Sequence, residues 1–125
     1  MLRILCVGLA GLAGTLCRYW LSGALARRYG EAFPAGTLAV NLLGCFAAGL
    51  LFQLTQGRDA FGETARAAVF VGLLGGFTTF SAFSLDAALM WERGAFASFA
   101  AYVLASVVLA VAGLFAGMAA VRLLA

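Results

Sequence analysis

The chain has 125 residues, 65% of them hydrophobic and only 10% charged, with one proline and no histidine. A water-soluble domain of this size carries far more polar surface, so the composition excludes one and indicates an integral membrane protein built of helices. All eight basic residues are arginines, set against five acidic ones. They cluster at the ends of apolar stretches, which reads as anchoring in a lipid bilayer and not as a nucleic-acid surface, and no enzyme chemistry is expected.

The first span is predicted over about residues 2–26. Its opening (Arg3, then an apolar run) resembles a signal peptide, but the apolar character continues to Leu25, so a retained helix is expected. Gly8, Gly11 and Gly14 recur every third residue and lay a small-residue stripe that admits a close neighbour. Arg18 lies toward the far end, next to Tyr19 and Trp20. It reads either as an interfacial anchor that snorkels or as a source of positive potential at an anion entrance. Arg27, Arg28 and Gly30 close the helix, Pro34-Ala35-Gly36 opens the next, and Thr37 is the expected N-cap.

The second span, about residues 37–54, is a minimal crossing with one strongly polar interior residue, Asn41. A carboxamide in hydrocarbon must face protein or water, so Asn41 is either a helix–helix hydrogen bond or a donor lining a pore. Thr37, four residues earlier, shares its face. Gly44 and Gly49 leave room for a neighbour. Cys6, Cys17 and Cys45 match no metal-site spacing and read as buried free thiols within apolar spans.

A polar loop with Gln56, Arg58, Asp59 and Glu63 leads to the third span, about residues 64–90. It holds the stretch on which the rest turns, Gly72 to Ser84. Gly75-Gly76 weakens the helix, and Thr78-Thr79 adds two stiff β-branched residues, so a break is expected at 75–79. In hydrocarbon every freed backbone group needs a partner, and transporters use such breaks to offer carbonyls to cations. Phe80 and Phe83 follow on one helical face, and Ser81 and Ser84 repeat their spacing. Asp86 lies near the end of the span.

The fourth span covers about residues 95–124. Ser98, Tyr102 and Ser106 form a polar stripe at intervals of four, which Ala110 continues without a hydroxyl. Gly113 and Gly117 form a close-packing pair.

Four spans put both termini on one side, with Arg3, Arg58, Arg66 and Arg122. The other side has Arg27, Arg28 and Arg93, with Arg18 nearby. Orientation is set by an excess of positive charge on one side, and here there is almost none. The expectation is a chain that inserts both ways up and pairs with an inverted copy. Such an antiparallel homodimer sets two broken third spans face to face, where their carbonyls hold a cation.

The run Gly75-Gly76-Phe77-Thr78-Thr79-Phe80-Ser81, with Phe83 and Ser84 following, resembles the signature of the Fluc (CrcB) fluoride channel family. So do Gly36-Thr37-Leu38 with Asn41, Arg18 in the first span, and the four-span plan with little charge bias. The resemblance covers essentially the whole chain. It implies an all-α, dual-topology homodimer in the bacterial inner membrane, with two antiparallel fluoride pores and a central structural Na+. It assigns the pore to Asn41, Phe80, Phe83, Tyr102 and Ser106, with Thr37 and Ser81 beside them, the anion entrance to Arg18, and the sodium to the backbone carbonyls of Gly75 and Thr78. Ala82, Ala110 and Asp86 depart from the residues common in the family at those positions. Residue chemistry agrees with an anion pathway. Aromatic ring edges are electropositive, and an amide donor without fixed charge lets an anion leave. The competing expectation is a proton-coupled exporter of the small multidrug resistance type. It needs an embedded carboxylate, and the first span has none.

Overall fold

A computed structural model describes residues 1–56 and 61–124. Arg58 and Asp59, which the charge tally and the polar loop invoke, lie outside the described residues. Among the described residues all regular structure is helical. Four segments are long and apolar enough to cross a membrane: Leu2–Tyr29, Ala35–Thr55, Glu63–Glu92 and Phe96–Leu124.

Helix α1 (Leu2–Tyr29) has 28 residues, about 42 Å of helix, which exceeds a hydrocarbon layer of about 30 Å. Arg27 and Arg28 therefore sit in its last turn, where cations complement the helix dipole. Gly30, at φ 79°, ends it in a conformation that glycine adopts without cost. Helix α2 (Ala35–Thr55) starts earlier than Thr37. The Leu38 N–H bonds the Pro34 carbonyl at 3.2 Å, and the proline ring presets φ for a helix start. Thr37 thus lies within the first turn and is not the cap.

The third span is built in pieces: α3 (Glu63–Arg66), a π-helical stretch (Ala67–Leu74), α4 (Gly75–Phe77), and, after an extended Thr78-Thr79, α5 (Phe80–Glu92). The interruption is narrower than 75–79. Gly75 and Gly76 stay helical, and only the two threonines are extended, with ψ 158° at Thr78 and φ −152°, ψ 119° at Thr79. The β-branched residues carry the break because extended backbone suits them. Their hydroxyls also close the helix ends on either side. Thr78 Oγ1 donates to the Leu74 carbonyl at 3.0 Å, and Thr79 Oγ1 accepts the Ala82 N–H at 3.1 Å as the N-cap of α5. The π-helical stretch had no counterpart in the sequence reading.

Helix α6 (Phe96–Leu124) packs chiefly on α2, and α1 packs on the third span. Both pairings bring backbones together at glycine. A Cβ on Gly14 would collide with the Leu73 carbonyl, and one on Gly76 would meet the Gly11 carbonyl at 2.5 Å. Gly49 and Gly117 play the same part between α2 and α6, against the Leu114 and Phe46 carbonyls. Gly8, the first of the expected stripe, faces open space. At one end of the bundle Phe83, Ala87, Met90 and Tyr102 form the buried core, backed by Leu38, Phe99 and Val103.

A candidate anion pathway beside the helix break

The break frees main-chain groups, and two other helices satisfy three of them, the Gly76 carbonyl and both groups of Thr79. Asn41 on α2 pairs with Thr79 in both directions. Its Nδ2 donates to the Thr79 carbonyl at 2.9 Å, and its Oδ1 accepts the Thr79 N–H at 2.7 Å. From α1, Arg18 Nε donates to the Gly76 carbonyl at 3.2 Å, with Thr15 Oγ1 at 3.5 Å from the same oxygen. Gly75 and Thr78 are the remaining residues of interest. Among the described residues, no hydrogen bond from outside a helix reaches either carbonyl.

On the far side of the break lies a cavity of about 260 Å³. Asn41 and Cys45 line it from α2, Thr78 and Thr79 from the break, Phe80 and Phe83 from α5, and Ser106 and Ala110 from α6. Among the described residues no Asp, Glu or Arg side chain borders it. Ser106 is 8% exposed, and its Oγ has no hydrogen-bond partner among the described residues. A buried hydroxyl without a partner is costly, and this one sits in the wall of the cavity. Asn41 contributes as well: a carboxamide has two N–H donors, and one is left after the bond to Thr79.

From the cavity an aromatic ladder runs toward one end of the bundle. The Phe80 and Phe83 centroids are 5.3 Å apart, Phe83 and Tyr102 also 5.3 Å, and Tyr102 meets Phe33 edge-on at 5.7 Å. Tyr102 is fully buried and donates its hydroxyl to Asp86 Oδ2 at 3.3 Å, with the Thr37 side chain close by. Phe80 differs from the rest of the ladder in being 77% exposed.

The structure thus gathers Asn41, Thr78, Phe80, Phe83 and Ser106 around one space, and joins Tyr102 and Thr37 to it through Phe83. Ser81 is exposed, with its Oγ 3.4 Å from Thr79 Oγ1. Arg18 is bound to the break itself. Cys17, expected to be buried, is exposed on α1, whereas Cys6 and Cys45 are half-buried; Cys45 stands one turn from Asn41 on the same face of α2, which was a signal for its place at the cavity. The roles of Thr79 as partner of Asn41 and of Asp86 as acceptor for Tyr102 had no signal in spacing.

Residues 5–118 match the family model described as CrcB-like protein, Camphor Resistance (CrcB). Among curated proteins the chain is similar to the fluoride-specific ion channel FluC of Rhizobium leguminosarum bv. trifolii, at 46% identity over 74% of each chain. It is likewise similar to the fluoride-specific ion channel FluC of Citrifermentans bemidjiense, at 44% over 74% of each chain, and to that of Desulforapulum autotrophicum, at 48% over 67% of each. With four apolar spans, a helix interrupted between two of its threonines and these relatives, the chain belongs to the CrcB-like family of membrane proteins.

Proposed function

We propose that this protein is a passive, electrogenic, fluoride-selective channel that carries fluoride out of the bacterial cytoplasm across the inner membrane and so relieves its toxicity. The observation that carries this reading is the cavity beside the break, which among the described residues no charged side chain borders and whose wall includes Ser106, with no partner among them for its Oγ. A small anion sheds water only where donors replace it. Ser106, the spare Asn41 N–H and the edges of Phe80 and Phe83 are such donors. A fixed positive charge there would hold the anion too long for rapid conduction.

The working unit of this proposal is an antiparallel homodimer with two pores. The near-balanced arginines favour dual orientation, and the 77% exposure of Phe80 suits a ring that a second chain covers. The break would then lie near the bilayer midplane, where the backbone carbonyls of Gly75 and Thr78 from both chains would hold a structural Na+. Freed backbone carbonyls are the oxygens that unwound membrane helices offer to sodium. When bound, the ion supplies a fixed positive charge that ties the chains together. Gel filtration in sodium-free buffer reads this without reference to transport, and loss of the dimer is the expected result.

Proteoliposomes loaded with potassium fluoride test the function. Fast efflux that requires valinomycin, with no chloride efflux, is the expected result. No efflux above empty liposomes from dimeric, sodium-replete protein would overturn it. Efflux driven by a proton gradient would favour the exporter, although Asp86, its one candidate carboxylate, accepts a hydrogen bond from Tyr102.

A further inference from the structure

A groove of about 350 Å³ lies at the end of the bundle that carries the N-terminus, apart from the cavity beside the break. Arg3 borders it from the start of α1, and Phe52 from the last turn of α2. Glu63, Arg66, Phe70 and Val71 border it from the start of the third span. Glu63, Arg66 and Phe70 are three and four residues apart, so they stand in a row on one helical face, with Val71 beside them. The row changes chemistry along its length. Its charged end opens the span, where a membrane helix meets water, and its apolar end lies a turn farther into the hydrocarbon. The rim is open to a ligand. Arg3 Nη1 meets Glu63 Oε2 at 3.4 Å, with the two side chains 58% and 90% exposed. An ion pair so long and so well solvated contributes little and yields to a stronger acceptor. Arg66 is exposed on the same rim, so two guanidinium groups face one carboxylate and the rim is net positive. Phe52 and Val71, below the rim, are exposed apolar side chains.

We propose that this groove binds an anionic phospholipid, with its phosphodiester between Arg3 and Arg66 and one acyl chain against Phe52, Phe70 and Val71. The guanidinium fork matches a pair of phosphate oxygens. Basic side chains between helices at this level of a membrane attract anionic headgroups. A free phosphate would use the rim and leave the apolar wall bare. A zwitterionic lipid would cover the wall but bring an ammonium group to a rim that is already positive. An anionic lipid satisfies both halves. The site requires only that the chain spans a membrane, and it stands or falls apart from the channel reading.

Native mass spectrometry tests it on the purified protein, in detergent with equal amounts of phosphatidylglycerol and phosphatidylcholine. Preferential retention of one phosphatidylglycerol per chain is expected. Arg3→Gln/Arg66→Gln is expected to weaken that retention by about thirtyfold, at several-fold for each arginine. Arg27→Gln/Arg28→Gln removes the same charge at the other end of the bundle and is expected to change it little. Glu63→Gln is expected to strengthen it, because Arg3 loses a competitor. Val71→Trp fills the apolar half and is expected to weaken it with every charge in place. Equal retention of the two lipids, or equal effects of the two arginine pairs, would reduce the groove to bulk charge and overturn the site. Retention that ignores Val71→Trp, or that millimolar inorganic phosphate abolishes, would overturn the lipid in favour of free phosphate. Each variant is compared at the parent's gel-filtration position. Should Arg3→Gln/Arg66→Gln fail to fold, Glu63→Gln and Val71→Trp still decide, and retention unmoved by both overturns the site.

Discussion

Asn41 and Thr79 form a reciprocal pair in which one side-chain amide takes both main-chain groups of the extended residue, at 2.9 and 2.7 Å. The carboxamide replaces the neighbouring strand that an extended residue would otherwise need. In a bilayer, where no water supplies that pairing, such a substitute is what makes a break tolerable. Removing the amide is therefore a structural change as well as a loss of a pore donor. Asn41→Ala leaves an N–H and a C=O unpartnered, at about 1–3 kcal/mol each. It is expected to lower the melting temperature in detergent and to abolish efflux. Retention of wild-type thermal stability would show that the pair contributes nothing.

Ser106 offers the converse case. Its hydroxyl is buried and has no partner among the described residues, so Ser106→Ala removes a polar group that costs about 1–3 kcal/mol to bury alone. The variant is expected to be as stable as the parent or more so, and to pass less fluoride. Reduced stability with intact efflux would make Ser106 a packing residue.

Phe83 stands between Phe80 and Tyr102 in the ladder. Phe83→Ile keeps most of the apolar volume and removes the ring edge that faces an anion. Efflux is expected to fall while the dimer still assembles on gel filtration. Efflux equal to the parent's would take the ring out of the pathway.

Arg18 invites a comparison of charge against geometry. Its Nε bonds the Gly76 carbonyl at 3.2 Å, and a hydrogen bond to a charged group contributes about 1.5–3 kcal/mol. If that bond is its work, Arg18→Lys and Arg18→Met both lower the melting temperature. If Arg18 only raises the potential at an entrance, lysine restores activity and stability together.

Close packing is tested at two glycines of one helix. A Cβ on Gly14 would run into the Leu73 carbonyl, whereas one on Gly8 meets nothing within 4 Å. Gly14→Ala is expected to destabilise by about 1–3 kcal/mol through overpacking. Gly8→Ala is expected to be neutral or to stabilise by up to about 1 kcal/mol through helix propensity. Thermal melts of the two variants side by side read the difference.

The spans were legible because length and apolarity alone dictate them, and the break because Thr-Thr after Gly-Gly weakens a helix, although the pair of glycines also suited a kink that packs helices closely. The interruption fell on the threonines, whereas Gly76 stays helical where α1 approaches it closely. The π-helical stretch Ala67–Leu74 was not legible, since a widened turn leaves no trace in the order of Ala, Val and Leu. The start of α2 was misplaced onto Thr37 because a proline two residues before a glycine reads as a loop until the Leu38 N–H is seen bonded to it. Asn41 was recognised as needing a partner, but partners lying 38 positions away in the chain are fixed by tertiary packing and not by local spacing.

From other helices the break takes hydrogen bonds from Thr15, Arg18 and Asn41, all of which lie earlier in the chain than the residues they serve. During synthesis α1 and α2 emerge before Thr78-Thr79, so the receptors for the exposed main chain already exist when it is made. A ribosome working from the other end would release an interrupted helix into lipid with nothing to meet it. The direction of translation thus protects this chain at its most vulnerable point, and a circular permutant that opens at Thr78-Thr79 and delivers α1 and α2 last is expected to insert poorly even with every native contact available to it.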